Sequence, residues 1–393
     1  MAGPLSSLKV LDFSALLPGP FGTMILADLG ADVLRVESPT RPDMVRMLPP
    51  LDENISAVHG YLNRSKRSLA LDLKKPEAVE VIKRLVAEYD IIVEQFRPGV
   101  MDRLGVGYET LREINPGLIY CSITGYGQTG PYKDRAGHDL NYLAIAGMTG
   151  YNGRQSSGPA PMAFQVADVA GGSCHAVMAV LAAVIHRQAS GEGQHVDISM
   201  TDAAFSMHAL TAPAALLAGE DPALEATQLN GGSFYDCYET SDGRWFSVGG
   251  LEPQFFMQFC GAIGRPDLAG KGLAMAPEVV AEVKQGIAEA MKTRSFAEWE
   301  KVFAELDSCT EPVLSFSEAV EHPQLKAREM VVDVPTAGGN SQRQVASPFK
   351  FSQTPPAYRF TGAQLGAHTG EILSENGFSE DDIEALRKAR AIA

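Results

Sequence analysis

Over its first 125 residues the chain alternates short apolar runs with segments of helical length, and this alternation most narrows its fold. Residues 9–13, Lys9-Val10-Leu11-Asp12-Phe13, read as a buried strand. A helix follows, with Pro18 in its first turn, where a missing N–H does no harm, and Gly30 at its stop. Residues 32–36 form the next strand, ending at Glu37. Residues 68–72 are strand-like, and Pro76 opens a helix to about Glu88. Residues 91–94, 118–123 and 194–198 complete the strand set. Strands that alternate with helices predict an α/β fold, a parallel sheet covered by helices.

A length of 393 residues exceeds what one compact core usually organises, so two domains are expected. The pattern changes after about residue 220. Residues 234–239 and 244–248 alternate around Ser241-Asp242-Gly243, which predicts a hairpin. Helical stretches follow near 254–263, 277–293 and 296–306. This reads as a smaller α+β domain. From about Val331 strand signals resume before Pro355-Pro356, so the tail is expected to return to the first domain. The expected division is residues 1–200 with 331–393, a linker helix over 201–225, and a small domain over 226–330.

The net charge of −15 argues against nucleic acid, because phosphate backbones need a basic face. The N-terminus lacks an apolar signal core, and the longest apolar run, about residues 176–185, is shorter than the ~20 residues that span a bilayer. A buried core helix accounts for it. The five cysteines (Cys121, Cys174, Cys237, Cys260, Cys309) are odd in number and unpaired in spacing, which suits reduced, mostly buried thiols in a cytoplasmic protein without a metal site.

A βαβ start invites a dinucleotide reading, and Glu37 stands where a ribose-binding acid would. The glycines, however, read Pro18-Gly19-Pro20-Phe21-Gly22, which is not the dinucleotide fingerprint. A basic cluster, Arg64-Ser65-Lys66-Arg67 with Lys74-Lys75 after it, is either a phosphate site or a solvated face, and Arg97 and Arg103 flank Pro98-Gly99-Val100.

The chemistry-bearing residues lie farther on. Gly137-His138-Asp139-Leu140-Asn141-Tyr142 places a histidine and a carboxylate at a helix start. Free N–H groups there can hold a developing oxyanion, and a histidine moves protons near neutrality. The plainer alternative is that Asp139 caps the helix. Asp168 precedes Gly171-Gly172, which permit close backbone approach; it is equally readable as the cap of the long helix expected over 171–188. Glu252, beside Pro253, has the same two readings.

Several of these segments together resemble the family III CoA-transferase superfamily and, within it, the alpha-methylacyl-CoA racemases. They are Leu16-Leu17-Pro18-Gly19-Pro20, Ala27-Asp28-Leu29-Gly30-Ala31-Asp32-Val33, Arg97-Pro98-Gly99-Val100, Gly125-Tyr126-Gly127-Gln128-Thr129-Gly130-Pro131, the His138 and Asp168 segments, Leu251-Glu252-Pro253-Gln254-Phe255, and Leu365-Gly366-Ala367-His368-Thr369. The resemblance implies a Rossmann-like large domain built from both chain ends, a small domain, and two chains interlocked as linked rings. It implies an acyl-CoA thioester as substrate and no permanently bound cofactor.

Two reactions go with it. Transferases use the aspartate matching Asp168 as a nucleophile. Racemases use it as one of two bases, with His138 on the other side of the α-carbon and Glu252 orienting that histidine. Transferases generally lack the histidine. The backbone N–H of Asp139 would then meet the enolate. Gly137, Arg97, Arg103, Lys66, Arg67 and Leu71 are expected along the coenzyme. Ser38 follows Glu37 where a racemase has arginine near the phosphates, and Arg41 is the expected substitute.

Overall fold

A computed structural model describes residues 3–392. The chain divides into two units. The first comprises residues 1–146, 164–207 and 324–393; the second comprises 147–163 and 208–323.

The first unit is built on six parallel strands: β1 (Lys9–Asp12), β2 (Asp32–Glu37), β3 (Arg67–Ala70), β4 (Ile91–Glu94), β5 (Ile119–Thr124) and β6 (His195–Ser199). Their order across the sheet is β6-β5-β4-β1-β2-β3. This is the doubly wound order, with its switch point between β1 and β4. Leu11, Leu34, Leu69 and Ile92 are fully buried, because helices cover both faces and each strand can be apolar throughout. On one face α1 (Pro18–Asp28) and a long helix meet over Val93 and Ile123. On the other, α2 (Pro76–Val86) buries Ala78, Val81, Ile82 and Leu85.

The switch point carries no dinucleotide turn. The Gly19 N–H is taken by Gln95 Oε1 at 2.8 Å, and a Cβ at Gly19 would sit 2.1 Å from Ser14 Cβ. Glu37 is buried against Arg35 (2.8 Å) and Arg46 (2.5 Å) rather than turned to a ribose.

The structure corrects the basic cluster at Arg64 and Lys66, which are buried, while Arg67 is partly buried and Lys74 is exposed. Lys66 is 1 % exposed, and its Nζ donates to Thr23 Oγ1 (2.7 Å), Pro20 O (2.9 Å), Asn63 Oδ1 (2.9 Å) and Asp12 Oδ2 (3.1 Å). Burial lowers the Lys66 ammonium to about 8 although Asp12 opposes the shift. Arg64 is buried on Asp28 at 2.9 and 2.6 Å. Arg67 is bound by Glu375 (2.6 Å) and Asp32 (2.8 Å). Neither Lys66 nor Arg67 is left for a phosphate. Leu71 is likewise a core side chain, 1 % exposed, and its segment bridges to Ile392.

The tail lies in the first unit. Residues Val331–Pro335 and Ser341–Val345 form a hairpin, and helices Thr369–Glu375 and Glu380–Lys388 pack on the first unit. Arg64 Nη1 donates to Val345 O (2.7 Å), and the Ser68 N–H donates to His368 Nδ1 (3.1 Å), so the two chain ends share one set of bonds.

The second unit has a three-stranded antiparallel sheet of β7 (Asp236–Glu239), β8 (Trp245–Val248) and β9 (Thr310–Pro312). The hairpin turns at Gly243, at φ +78°, a conformation that favours glycine. Helices Pro253–Ala262, Pro277–Met291 and Phe296–Phe303 cover it with an aromatic core that includes Phe246, Phe256, Phe259 and Trp299. Residues 201–225 are not one linker helix: Met200–Ser206 and Thr211–Ala218 are separate. Of the cysteines only Cys121 and Cys260 are buried, while Cys237 and Cys309 are exposed.

Replacing Lys66 with alanine leaves Asp12 buried without its ammonium partner. Breaking one side of a buried pair costs about 3–5 kcal/mol. Urea unfolding should therefore show a loss of that order. A normal unfolding midpoint with weakened binding of free CoA would instead return Lys66 to a ligand-facing role.

Candidate active site

Two stretches of the first unit bring the chemistry together. The first is the start of α3 (Asp139–Ile145), with His138 at its N-cap. His138 N donates to Asn141 Oδ1 at 3.0 Å, and His138 O accepts from the Asn141 N–H at 2.8 Å. Together with the His138 side chain these bonds form a capping box that closes the turn, and the imidazole remains exposed. Asp139 holds the first helical position, whose N–H has no acceptor within its own helix.

Gly137 is explained by what packs on it. A Cβ there would lie 2.6 Å from Tyr142 Cε1 and 2.9 Å from the Tyr126 hydroxyl. A Cβ at Gly125 would lie 2.3 Å from the same Tyr142 ring. Two glycines therefore make the slot for one aromatic ring, and the Tyr142 hydroxyl closes it by donating to Gly137 O. The turn that presents His138 is thereby held to its own helix.

The second stretch is Val166–Cys174, which is π-helical and runs straight into α4 (His175–Ser190). Asp168 sits in its first turn and is not an N-cap. Its backbone N–H donates to Asp139 Oδ1 at 2.9 Å, which ties the two stretches to each other. The Asp168 carboxyl is half-buried. Burial pushes it up to about 6, the nearby Asp139 charge pushes the same way, and His138 pulls it back. The stretch Val166–Ser190 is the one described helix long and apolar enough to cross a membrane, with mean hydropathy 1.7. It begins with this carboxyl and packs along α1 and β5.

Glu252 belongs to the second unit. It is the exposed N-cap of Pro253–Ala262, where its C=O accepts from the Phe255 N–H (3.0 Å) and the Phe256 N–H (3.1 Å). Arg41, Arg97 and Arg103 are exposed and form no ion pair among the described residues. Arg97 lies close enough to Tyr142 to act on its hydroxyl electrostatically. Among the described residues no group of three or more His, Cys, Asp or Glu side chains could hold a metal ion.

Sequence reading missed a polar pocket, of about 140 Å³, lined by residues of β4, β5 and β6. Glu94, Ser122 and Asp197 are partners across these strands and share one face of the sheet. Ser122 Oγ lies 2.9 Å from His195 Nε2. Burial pushes the Glu94 carboxyl up to about 7 against the pull of its hydrogen bonds. The one available signal was a glutamate closing an otherwise apolar strand.

The model for CoA-transferase family III matches residues 5–369. The chain belongs to this family. Among curated relatives, alpha-methylacyl-CoA racemase of Mus musculus is 35% identical over 395 residues, covering 99% of this chain and 97% of that one. Succinate--glutarate CoA-transferase of Agrobacterium fabrum is 34% identical over 385 residues, covering 95% of each. The crystal structure of a CAIB/BAIF family protein from Brucella suis matches with a TM-score of 0.84 at 30% identity, covering 96% of this chain and 100% of that one. This is an enzyme of the family III CoA-transferase/racemase class, whose members work on CoA thioesters. Overall identity does not separate the two chemistries, since a racemase and a transferase match almost equally well.

If the Asp139 charge helps hold Asp168 near neutrality, Asp139→Asn should lower the Asp168 midpoint from about 6 towards the ordinary aspartate range. The amide oxygen introduced by this substitution can still accept from the Asp168 N–H. Carboxyl-¹³C aspartate NMR, with Asp168→Asn for assignment, reads the shift directly, and an unmoved midpoint would leave burial as the whole cause.

Proposed function

We propose that this chain racemises 2-methylacyl-CoA thioesters by two-base exchange of the α-proton. The observation that carries the reading is a histidine on a helix N-cap beside a half-buried aspartate whose carboxyl is pushed up to about 6. A base that takes a proton from carbon and returns one works best with a pKa near ambient pH, and Asp168 is brought there by burial.

One of His138 and Asp168 removes the α-proton, and the electron pair moves into the thioester carbonyl to give a planar enolate. The other delivers a proton to the opposite face, restoring the thioester with either configuration. The Asp139 N–H, at the positive end of its helix, stabilises the enolate oxygen. Glu252 keeps, as part of this proposal, the orienting role that the resemblance assigns to it. Arg41, Arg97 and Arg103 are the cations left to meet the coenzyme phosphates, with the Gly137 backbone beside the thioester. The interlocked homodimer belongs to the same proposal. It is supported by large apolar side chains left in solvent, Ile185 at 69 % and Leu217 at 92 % exposed.

The second reading is CoA transfer between an acyl-CoA and a free carboxylate. It is supported by similarity to transferases such as the succinate--glutarate enzyme. There Asp168 attacks the thioester carbonyl, an anhydride forms and CoA thiolate leaves. His138 has no part in that chemistry.

Deuterium wash-in at the α-carbon of a 2-methylacyl-CoA in D₂O, run beside an assay for transfer to free carboxylates, tests the choice. The expected result is exchange without transfer. Exchange should fall by about 10²–10⁴-fold in His138→Ala, the usual worth of a positioned acid or base. In the direction that starts with Asp168 as base, it should also weaken below pH 6 as that carboxyl takes up a proton. Transfer without exchange, with hydroxylamine trapping an acyl group on Asp168, would overturn the racemase reading.

A further inference from the structure

Asp168 rides on a nine-residue π-helical run, Val166–Cys174. Such runs are rare, because π turns usually occur singly and often at functional sites. Two side chains within and just beyond the run return to carbonyls five residues earlier. Ser173 Oγ lies 2.6 Å from Pro18 O and 3.2 Å from Asp168 O. His175 Nδ1 lies 2.7 Å from Ala170 O. A carbonyl can only accept, so His175 carries its proton on Nδ1 in this bond. The Ser173 hydroxyl donates chiefly to Pro18 O, with Asp168 O as a longer second acceptor.

The five-residue spacing is the telling feature. In an α-helix five residues make about 1.4 turns, which points residue i+5 well away from carbonyl i. These two contacts therefore match the π register and would be lost on reversion to α.

The surroundings leave the run little room. A Cβ at Gly171 would lie 3.3 Å from Met200 O, and one at Gly172 would lie 3.0 Å from Pro18 Cβ. A Cβ at Gly22 would lie 3.3 Å from Ser173 O. The run is held between α1 and the helix Met200–Ser206, and Ser173, fully buried, pins it to the first residue of α1.

We propose that Ser173 and His175 are positioning residues that hold the turn bearing Asp168 in its π register, and so set where the Asp168 carboxyl points and how far it is withdrawn from water. Neither side chain touches substrate in this account. The inference rests on the proposed function only in taking Asp168 as the reacting carboxylate, and it applies equally to Asp168 as base or as nucleophile.

The test uses Ser173→Ala and His175→Phe, which remove the donors, with Ser173→Thr and His175→Asn, which can keep a donor in nearly the same place. Carboxyl-¹³C aspartate NMR follows the Asp168 midpoint in the full-length protein and needs no turnover. Kinetics of exchange and of transfer are measured alongside. Ser173→Ala and His175→Phe should move the Asp168 midpoint downwards and lower kcat by about 10- to 100-fold, the scale of a small misplacement of a reacting group, with KM nearly unchanged. The conservative variants should restore most of both. Two removal variants guard against one failing to fold. A folded variant of either kind with unmoved midpoint and unmoved kcat would overturn the inference. A moved midpoint in a protein that performs neither reaction would sustain it while sinking the proposed function.

Discussion

The first unit depends on charge pairs buried inside it. Lys66 with Asp12, Arg64 with Asp28, and Arg35 with Glu37 and Asp43 all have side chains within a few per cent of complete burial. A buried charge is tolerable only when paired and hydrogen-bonded, and these are both. Burial works to raise the Asp12 carboxyl, yet Lys66, Arg35 and the Ser14 and Thr23 hydroxyls together hold it below its ordinary value. Such pairs have little tolerance for misplacement, so they specify one arrangement of β1, α1 and β3. They also recruit the tail: Arg64 reaches Val345 O, and the Arg359 guanidinium donates to Ser65 O at 2.6 Å. The short stretch Arg64–Arg67 is the knot through which the two ends of the chain become one unit.

That explains why the basic cluster misled. Sequence shows charge but not its partner, and here the partners lie 54 residues away for Lys66 and 36 for Arg64. The sheet strands were legible because their signal is local. A strand buried on both faces must be apolar along its length, and that rule marks the inner runs of the sheet; the edge strand β6 instead alternates polar and apolar residues and is only partly buried. The hairpin at Gly243 was legible for a similar reason, its turn residues lying beside the strands they join. The third strand of that sheet, Thr310–Pro312, is three residues long and forms only by pairing with β8, so nothing local announces it.

The site divides in the same way. His138 at a helix start could be read directly, since Gly137 and Asn141 are its neighbours in sequence. Asp168 could be noticed beside two glycines, but its setting could not be read. An N-cap and a π turn use similar residues, and the π register here is secured by Pro18, 155 residues from Ser173. The bond from the Asp168 N–H to Asp139 likewise spans 29 residues. Residue types reveal which groups are able to react, whereas the withdrawal from water that tunes them is a property of packing.

This tuning bears on why one scaffold suits two reactions. A carboxyl near pH 6 is ionised enough at neutrality to attack a thioester and basic enough to take an α-proton. Nothing about Asp168 alone selects between them. Selection must come from a second group able to finish one path: a proton donor across the α-carbon completes racemisation, while room for an acceptor carboxylate completes transfer. In the proposed racemisation His138 is that donor. Its backbone and its side chain share the capping box that starts α3, and its ring is exposed. The same side chain also acts electrostatically on the Asp168 carboxyl, so a histidine at this cap bears on the reacting carboxylate as well as on its own helix.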